Sequence, residues 1–238
     1  MANDVTNILS FEGDPDRVRA MLQAIQDDQA GFGTIDFNKV IPMPESLNIE
    51  CGSSSHRGLE AFQDYQHCYA GNLSEAAEAE YRNAHPEVSD KEWEIGKAAA
   101  KNLAEYGAPT WYEWCVKNWG TKWNAYGFPS GRAAEELTVS FFTAWDPPDP
   151  IIRKLSELYP DITVTHRWAD EDIGSNVGRK VWRAGEVQEE YLPEYGKESI
   201  EYAAEIMGAD PADWGLTLNA EGTEYEYREQ ESQPTPGM

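Results

Sequence analysis

Positive charge is what this chain has least of. Nineteen Lys and Arg stand against forty-three Asp and Glu, a formal net charge of −24. Such a chain repels phosphate backbones, which disfavours ordinary sequence-independent nucleic-acid binding and draws it toward basic partners. Long apolar runs are also absent: nothing approaches the roughly 18 residues that read as a membrane helix. Residues 1–7 hold neither a basic nor an apolar leader segment, so no secretion signal is expected. Cysteine is scarce, and Cys51, Cys68 and Cys115 are odd in number and unpatterned. They read as thiols in a reducing cytoplasm.

Catalytic patterns are missing too. No histidine stands near Cys115 in sequence, so a nucleophilic pair is unsupported. Asp170-Glu-Asp172 lacks the spacing of a calcium loop. Gly174 and Gly178 are followed by no lysine–serine pair or helix start, so they form no phosphate loop. Cys51, His56, His67 and Cys68 match no standard zinc pattern, and an adjacent His-Cys pair does not easily aim both side chains at one ion. No catalytic residue, metal or cofactor is therefore expected.

Aromatic side chains are what the sequence has in plenty. Four of the nine tryptophans and two tyrosines fall within residues 111–127. Trp111, Trp114 and Cys115 share one helical face, while Trp119 and Trp123 are placed beyond the helix. Aromatics on a sheet can stack bases, but such platforms come with a basic groove. Lys117 and Lys122 supply little of one, so core packing is the expectation for Trp114, Trp119 and Trp123.

Periodicity organises the rest. Val5–Phe11 has strand composition, and Asp14 with Pro15 opens a helix with Val18, Met21, Leu22 and Ile25 on its apolar face. Thr34–Ile41 reads as a second strand, completing a β-α-β unit. Residues 50–108 are polar and Ala/Glu-rich, with caps at Ser74 and Ser89, and Glu92 completes a capping box with Ser89. A short strand follows at Lys122–Tyr126, and Pro129–Ala133 turns the chain.

Glu136–Trp145 is a strand with Leu137, Val139 and Phe141 on one face. A helix with Ile151, Ile152, Leu155 and Leu158 buried, a strand at Ile162–Trp168 and a further strand at Arg179–Gly185 then make a second β-α-β unit with a hairpin. Lys180 and Trp182 share one face of that last strand. Ser199–Met207 is a terminal helix. The fold predicted is α+β: a ferredoxin-like sandwich of two β-α-β units in a mostly antiparallel sheet with helices on one face, plus a helical insertion, a C-terminal helix and an acidic tail. The boundaries are 1–185 for the ferredoxin-like domain including the insertion at about 50–108, 186–208 for a C-terminal helical segment, and 209–238 for a weakly ordered acidic tail. Residues 186–238 carry fourteen acidic and two basic side chains, half of the whole excess.

Four segments carry a family resemblance: Asn7-Ile-Leu-Ser-Phe-Glu-Gly13, Phe37-Asn-Lys-Val-Ile-Pro-Met-Pro-Glu45, the Trp114–Tyr126 block, and Phe141-Phe-Thr-Ala-Trp-Asp-Pro-Pro148. Together they resemble the YubB ferredoxin-like family of plasmid and phage proteins, a group of undescribed function. The resemblance spans roughly residues 2–185. It implies a mobile-element origin and a ferredoxin-like fold, and brings no catalytic residue with it.

Two functions follow as expectations. The first is a non-enzymatic acidic protein, in the cytoplasm of a bacterial host, that blocks a nucleic-acid-binding defence complex in the manner of an anti-CRISPR, with carboxylates standing in for phosphates. Its partner is a host protein with a basic nucleic-acid-binding surface, and its contacts are Asp170, Glu171, Asp172, Glu186, Glu189, Glu190 and Glu194. The alternative is a protein or enzyme acting on a small nucleotide signal, with Trp123, Asn124, Arg167 and Arg183 as contacts in a cleft between sheet and insertion. Neither reading involves a membrane or direct nucleic-acid binding.

Overall fold

The computed structural model describes residues 3–129 and 137–228. In chain order the elements are β1 (Asp4–Glu12), α1 (Pro15–Ile25), α2 (Ser53–Cys68), α3 (Glu75–Ala84), α4 (Asp90–Tyr106), α5 (Trp111–Trp119), β2 (Thr138–Ala144), α6 (Asp149–Leu158), β3 (Thr163–Asp170), β4 (Val177–Arg183), β5 (Glu186–Tyr191), α7 (Lys197–Met207), β6 (Leu216–Leu218) and β7 (Tyr225–Tyr227). They divide into two compact units: Met1–Val40 with Asn124–Met238, which holds the sheet, and Ile41–Trp123, which is helical.

The sheet runs β2-β1-β3-β4-β5, with every neighbouring pair antiparallel. β2 and β3 flank β1, so α6 crosses over β1 to join two strands that point the same way, as the second β-α-β unit requires. The period-2 rule sorts β1 cleanly. Val5, Asn7 and Leu9 are fully buried on one face, and Ile8 lies on the other. On the first face Val139, Phe141, Val164, His166 and Trp168 continue the core beneath α6, which contributes Ile151, Ile152 and Leu155. On the second face α7 packs Ile200, Ala203, Ala204 and Ile206 against Ala169, Ile173 and Val177. Helices therefore cover both faces of the sheet, which corrects the expectation of helices on one face: the C-terminal helix buries the second.

A polar chain runs through the first face. Asn7 donates to the Val5 carbonyl and the Thr143 hydroxyl, each at 2.9 Å, and faces His166 Nε2 at 2.9 Å through its Oδ1. With its own NH2 group donating, Asn7 Oδ1 must accept, so Nε2 carries the His166 proton. Asp149 Oδ1 lies 4.0 Å from His166 Nδ1, and Lys180 pairs with the other oxygen of Asp149. Burial first, and the Lys180 ammonium second, lower the His166 pKa to about 3.

Several sequence readings are corrected here. Thr34–Ile41 forms no strand. Asp36 accepts from Asn38 N and caps a 3-10 turn over Phe37–Lys39, and the Phe37 amide is satisfied by Asn124 Oδ1 at 2.8 Å instead of by a neighbouring strand. The first β-α-β unit therefore lacks its second strand. Lys122–Tyr126 reduces to one bridge between Tyr126 and Phe142. Trp119 lies inside α5, as its last residue, because Gly120 in the left-handed region (φ 79°) ends the helix one step later. Leu158, placed on the buried face of α6, is 49% exposed in its last turn.

Residues 186–208 begin with a strand, β5, whose exposed Glu-Val-Gln-Glu-Glu sequence hid it from a hydrophobic-pattern reading. Charged side chains suit an edge strand, since they discourage further pairing. The expectation of weak order from 209 onward is overturned as far as Arg228: Pro211–Trp214 makes a 3-10 turn, β6 pairs with β7, and Leu216 is buried against α7. Residues 229–238 of the expected tail, and 130–133 of the expected turn, lie outside the described residues.

In the helical unit α2 and α4 cross with backbone against backbone. A Cβ at Gly58 would meet the Glu92 carbonyl oxygen, and one at Gly96 the Gly58 carbonyl oxygen, both well under 3.0 Å. Trp93 packs within an aromatic cluster of Tyr65, Tyr81 and Phe62. The capping box at Ser89 forms as expected: Ser89 Oγ accepts from Glu92 N at 3.3 Å, and Glu92 Oε2 accepts from Ser89 N at 3.0 Å. The Ser89 hydroxyl and amide, with Arg57, hold the Glu92 carboxyl down at about 2.

Two outcomes are expected. Gly96→Ala unfolds or markedly loosens the helical unit, seen as a lowered Tm, because neither facing element is a flexible side-chain end. His166 binds a proton in the unfolded chain below pH 6.5 and resists it when folded, so stability is complete above pH 6.5 and declines as pH falls toward 3. The loss is about 2 kcal/mol at pH 5. Thermal denaturation between pH 7 and 5 reads this as a falling Tm, with a flatter profile for His166→Gln.

Candidate functional site

The aromatic helix opens on Thr110, whose hydroxyl accepts from Tyr112 N at 3.3 Å, and buries Trp114, Cys115 and Trp119. Trp114 and Trp119 meet edge to face at 5.6 Å, and the Trp119 indole donates to the Ile41 carbonyl at 2.9 Å. These two are core, as the sequence suggested. Trp123 is not: it is 38% exposed, with Lys122 Nζ 4.6 Å from its ring centre. Together with Met43, Asn48, Trp111, Cys115 and Trp119 it lines a largely apolar depression of about 310 Å³. Sequence reasoning missed Met43 and Asn48, since they come from a loop more than sixty residues upstream of the helix.

Of the proposed nucleotide contacts, Trp123 is among the residues lining this depression, and Asn124, Arg167 and Arg183 are not. Trp123 belongs to the helical unit, and Asn124, Arg167 and Arg183 to the sheet unit. Asn124 Oδ1 accepts from Phe37 N and its Nδ2 donates to Asp36 Oδ1 at 2.7 Å, so its amide is engaged in fixing the loop after α1. Arg167 pairs with Glu205 at 3.2 Å. Arg183, exposed at the end of β4, acts on the Asp161 carboxylate, which Arg17 chiefly holds below its ordinary range.

A second group lies near the start of α2. Cys51, His56 and Glu113 bring one ligand atom each to within 4.8 Å of one another. Cys51 Sγ donates toward Glu113 Oε1 at 3.9 Å, and the Thr110 hydroxyl donates to Glu113 Oε2. Burial and the Glu113 carboxylate push the Cys51 thiol up, while Thr110 and Lys122 draw it down. His67 and Cys68, grouped with Cys51 and His56 in the sequence, sit at the far end of α2. Eleven residues at 1.5 Å each put His67 about 16 Å along the helix axis from His56. Glu113, sixty-two residues from Cys51, could not be assigned from spacing.

The acidic contacts divide as well. Asp170 is buried: its Oδ1 accepts from Asp172 N at 2.8 Å and Asn3 Nδ2 at 3.2 Å, which makes it the anchor of a turn and corrects its placing as a contact residue. Glu171 and Asp172 are exposed beyond it. Glu186, Glu189, Glu190 and Glu194 are all exposed on or just after β5. Glu189 pairs with Arg179 at 3.3 Å and Glu190 with Lys180 at 3.5 Å, whereas Glu186 and Glu194 form no ion pair among the described residues. Glu198, Glu201 and Glu205 follow on α7 at helical spacing, with Glu201 paired to Lys197 and Glu205 to Arg167.

Residues 118–210 match the family model described as the ferredoxin-like domain in Api92-like protein. The sheet unit contains a ferredoxin-like domain. A crystal structure of the protein api92 from Yersinia pseudotuberculosis is also similar, at 11% identity and a TM-score of 0.39 over 83% of this chain and 99% of that one. No curated protein matches the chain. The matched residues of the ferredoxin-like domain run from the end of α5 through α7, so they include β5 and its carboxylates but not Cys51, His56 or most of the aromatic depression. No helix among the described residues is long and apolar enough to cross a membrane.

The three thiols sort by environment. Cys68 is exposed, Cys51 half-buried, and Cys115 buried, with burial pushing its thiol up to about 12. A thiol reagent at pH 8 is expected to modify Cys68 quickly, Cys51 slowly, and Cys115 only after denaturation; mass spectrometry of the labelled peptides over time reads the order.

Proposed function

We propose that this is a non-enzymatic binding protein whose contact surface is the acidic edge made by β5 and the carboxylates of α7. The observation that carries the reading is the exposure of Glu186, Glu189 and Glu190 on an edge strand and of Glu194 just after it, followed along the chain by Glu198, Glu201 and Glu205 on α7. An edge strand offers backbone groups as well as side chains, so a partner gains a directional contact on top of the charge. Carboxylates in a row attract lysine and arginine clusters and give fast, salt-sensitive association. The resemblance to phage and plasmid proteins supports a partner among the basic, nucleic-acid-binding defence complexes of a bacterial host, with the edge taking the place of a phosphate backbone. On this reading the protein works in the host cytoplasm.

A second reading rests on the depression at Trp123. An exposed indole beside Lys122, over an apolar floor, suits a planar anionic ring system such as a nucleotide base with its phosphates. A panel of nucleotides and cyclic dinucleotides that raises the Tm of the wild type but not of Trp123→Ala would favour it.

The acidic-edge reading is tested by affinity capture from host lysate at low and high salt. The expected outcome is one nucleic-acid-binding complex held at low salt and released at high salt, with capture reduced at least about tenfold when Glu186, Glu189, Glu190 and Glu194 are changed together to Gln. Single glutamine substitutions have small effects. Capture that ignores both salt and the fourfold change overturns the reading.

A further inference from the structure

We infer that Cys51, His56 and Glu113 form a zinc site with three protein ligands and an open fourth position. Zinc takes thiolate, imidazole and carboxylate at about 2.0–2.3 Å, so tetrahedral ligand atoms sit about 3.5 Å apart. The three atoms here lie within 4.8 Å of one another, so closing the site takes about 1 Å of adjustment. His56 supplies most of it, because its side chain is exposed and its imidazole has no partner among the described residues.

The ligand set selects the metal. A sulfur and a nitrogen donor disfavour calcium and magnesium, which take oxygen, and suit zinc among the common divalent ions. Charge balances: thiolate and carboxylate together neutralise the ion. The surroundings fit a metal site in one further way. Thr110 donates to Glu113 Oε2, which leaves Oε1 turned toward Cys51 and fixes the carboxylate from behind, as outer-shell partners of metal ligands do. Cys51 sits just before the first turn of a 16-residue helix, two residues ahead of Ser53. Binding exchanges the sulfur-bound proton for the ion: the S–H bond breaks, the lone pair goes to zinc, and the proton leaves to solvent. A water completes the tetrahedron at the exposed side.

The pairing draws on residues from the two ends of the helical unit. Cys51 and His56 precede and open α2, and Glu113 lies in the first turn of α5. Zinc would therefore tie α5 to α2 and raise the stability of that unit.

The test uses the full chain, stripped of metal with a chelator, and titrated with Zn2+ and with Co2+ as a spectroscopic stand-in. Expected are saturable binding of one ion, release of about one proton on zinc binding measured by calorimetry in buffers of different ionisation heat, a cobalt–thiolate charge-transfer band, and a Tm that rises with zinc. Cys51→Ser should remove the band, and Cys68→Ser should keep it. His56→Ala, an exposed position that leaves the fold intact by circular dichroism, should abolish the zinc-dependent Tm rise. Absence of saturable binding by the wild type overturns the inference. So does a band that survives Cys51→Ser, a band lost with Cys68→Ser, or a Tm rise undiminished in His56→Ala.

Discussion

At the crossing of α2 and α4, no side chain separates the two backbones, and the rest of the helical unit depends on that closeness. Gly58 and Gly96 each point a hydrogen at the other helix, where any carbon would run into a carbonyl oxygen. Helix pairs usually stand 8–10 Å apart on their side chains; here the small residues let them come closer. This fixes where Glu92 sits, so that one carboxylate can cap α4 through Ser89 and reach Arg57 of α2. It also fixes the direction of the start of α2, and with it Cys51 and His56.

The sheet unit obeys a different constraint. β1 is paired on both sides and its residues face opposite layers, so Leu9 and Ile8 must each find a helix. α6 serves one face and α7 the other. Covering both faces leaves the sheet's unpaired backbone groups at its edges, and at β5 that edge carries Glu186, Glu189 and Glu190. The polar chain of Asn7, His166, Asp149 and Lys180 threads the same interior. It fixes the register of β1 against β3 by hydrogen bonds as well as by apolar matching, since a slip of one residue would point Asn7 away from His166.

Local signals were legible wherever a single side chain could answer a backbone group nearby. Asp14 with Pro15, Ser74, and Ser89 with Glu92 all mark helix starts, because capping is a contact between residues two or three apart. The apolar spacing of α1 was equally plain. Thr34–Ile41 misled because Ile35 and Phe37 are buried at alternate positions, as in a strand, while the Phe37 amide is taken by Asn124, eighty-seven residues away. β5 was missed for the opposite reason: it buries almost nothing, and only its neighbour β4 gives it a strand's hydrogen bonds. The acidic composition after residue 208 suggested weak order, and the packing of Leu216 and Trp214 against the α7 cluster could not be seen from the chain.

The sequence by itself determined the helix starts, the alternation of β1, the α+β class and the excess of acid at the C-terminal end. Each rests on neighbours in the chain or on composition, and needs no knowledge of what comes near from elsewhere. Only the tertiary structure decided which carboxylates face outward, that Asp170 is buried in a turn, that Trp123 stays exposed while Trp119 does not, and that Glu113 joins Cys51 and His56. Those outcomes depend on the approach of segments tens of residues apart, which is set by packing and backbone clearance rather than by local pattern.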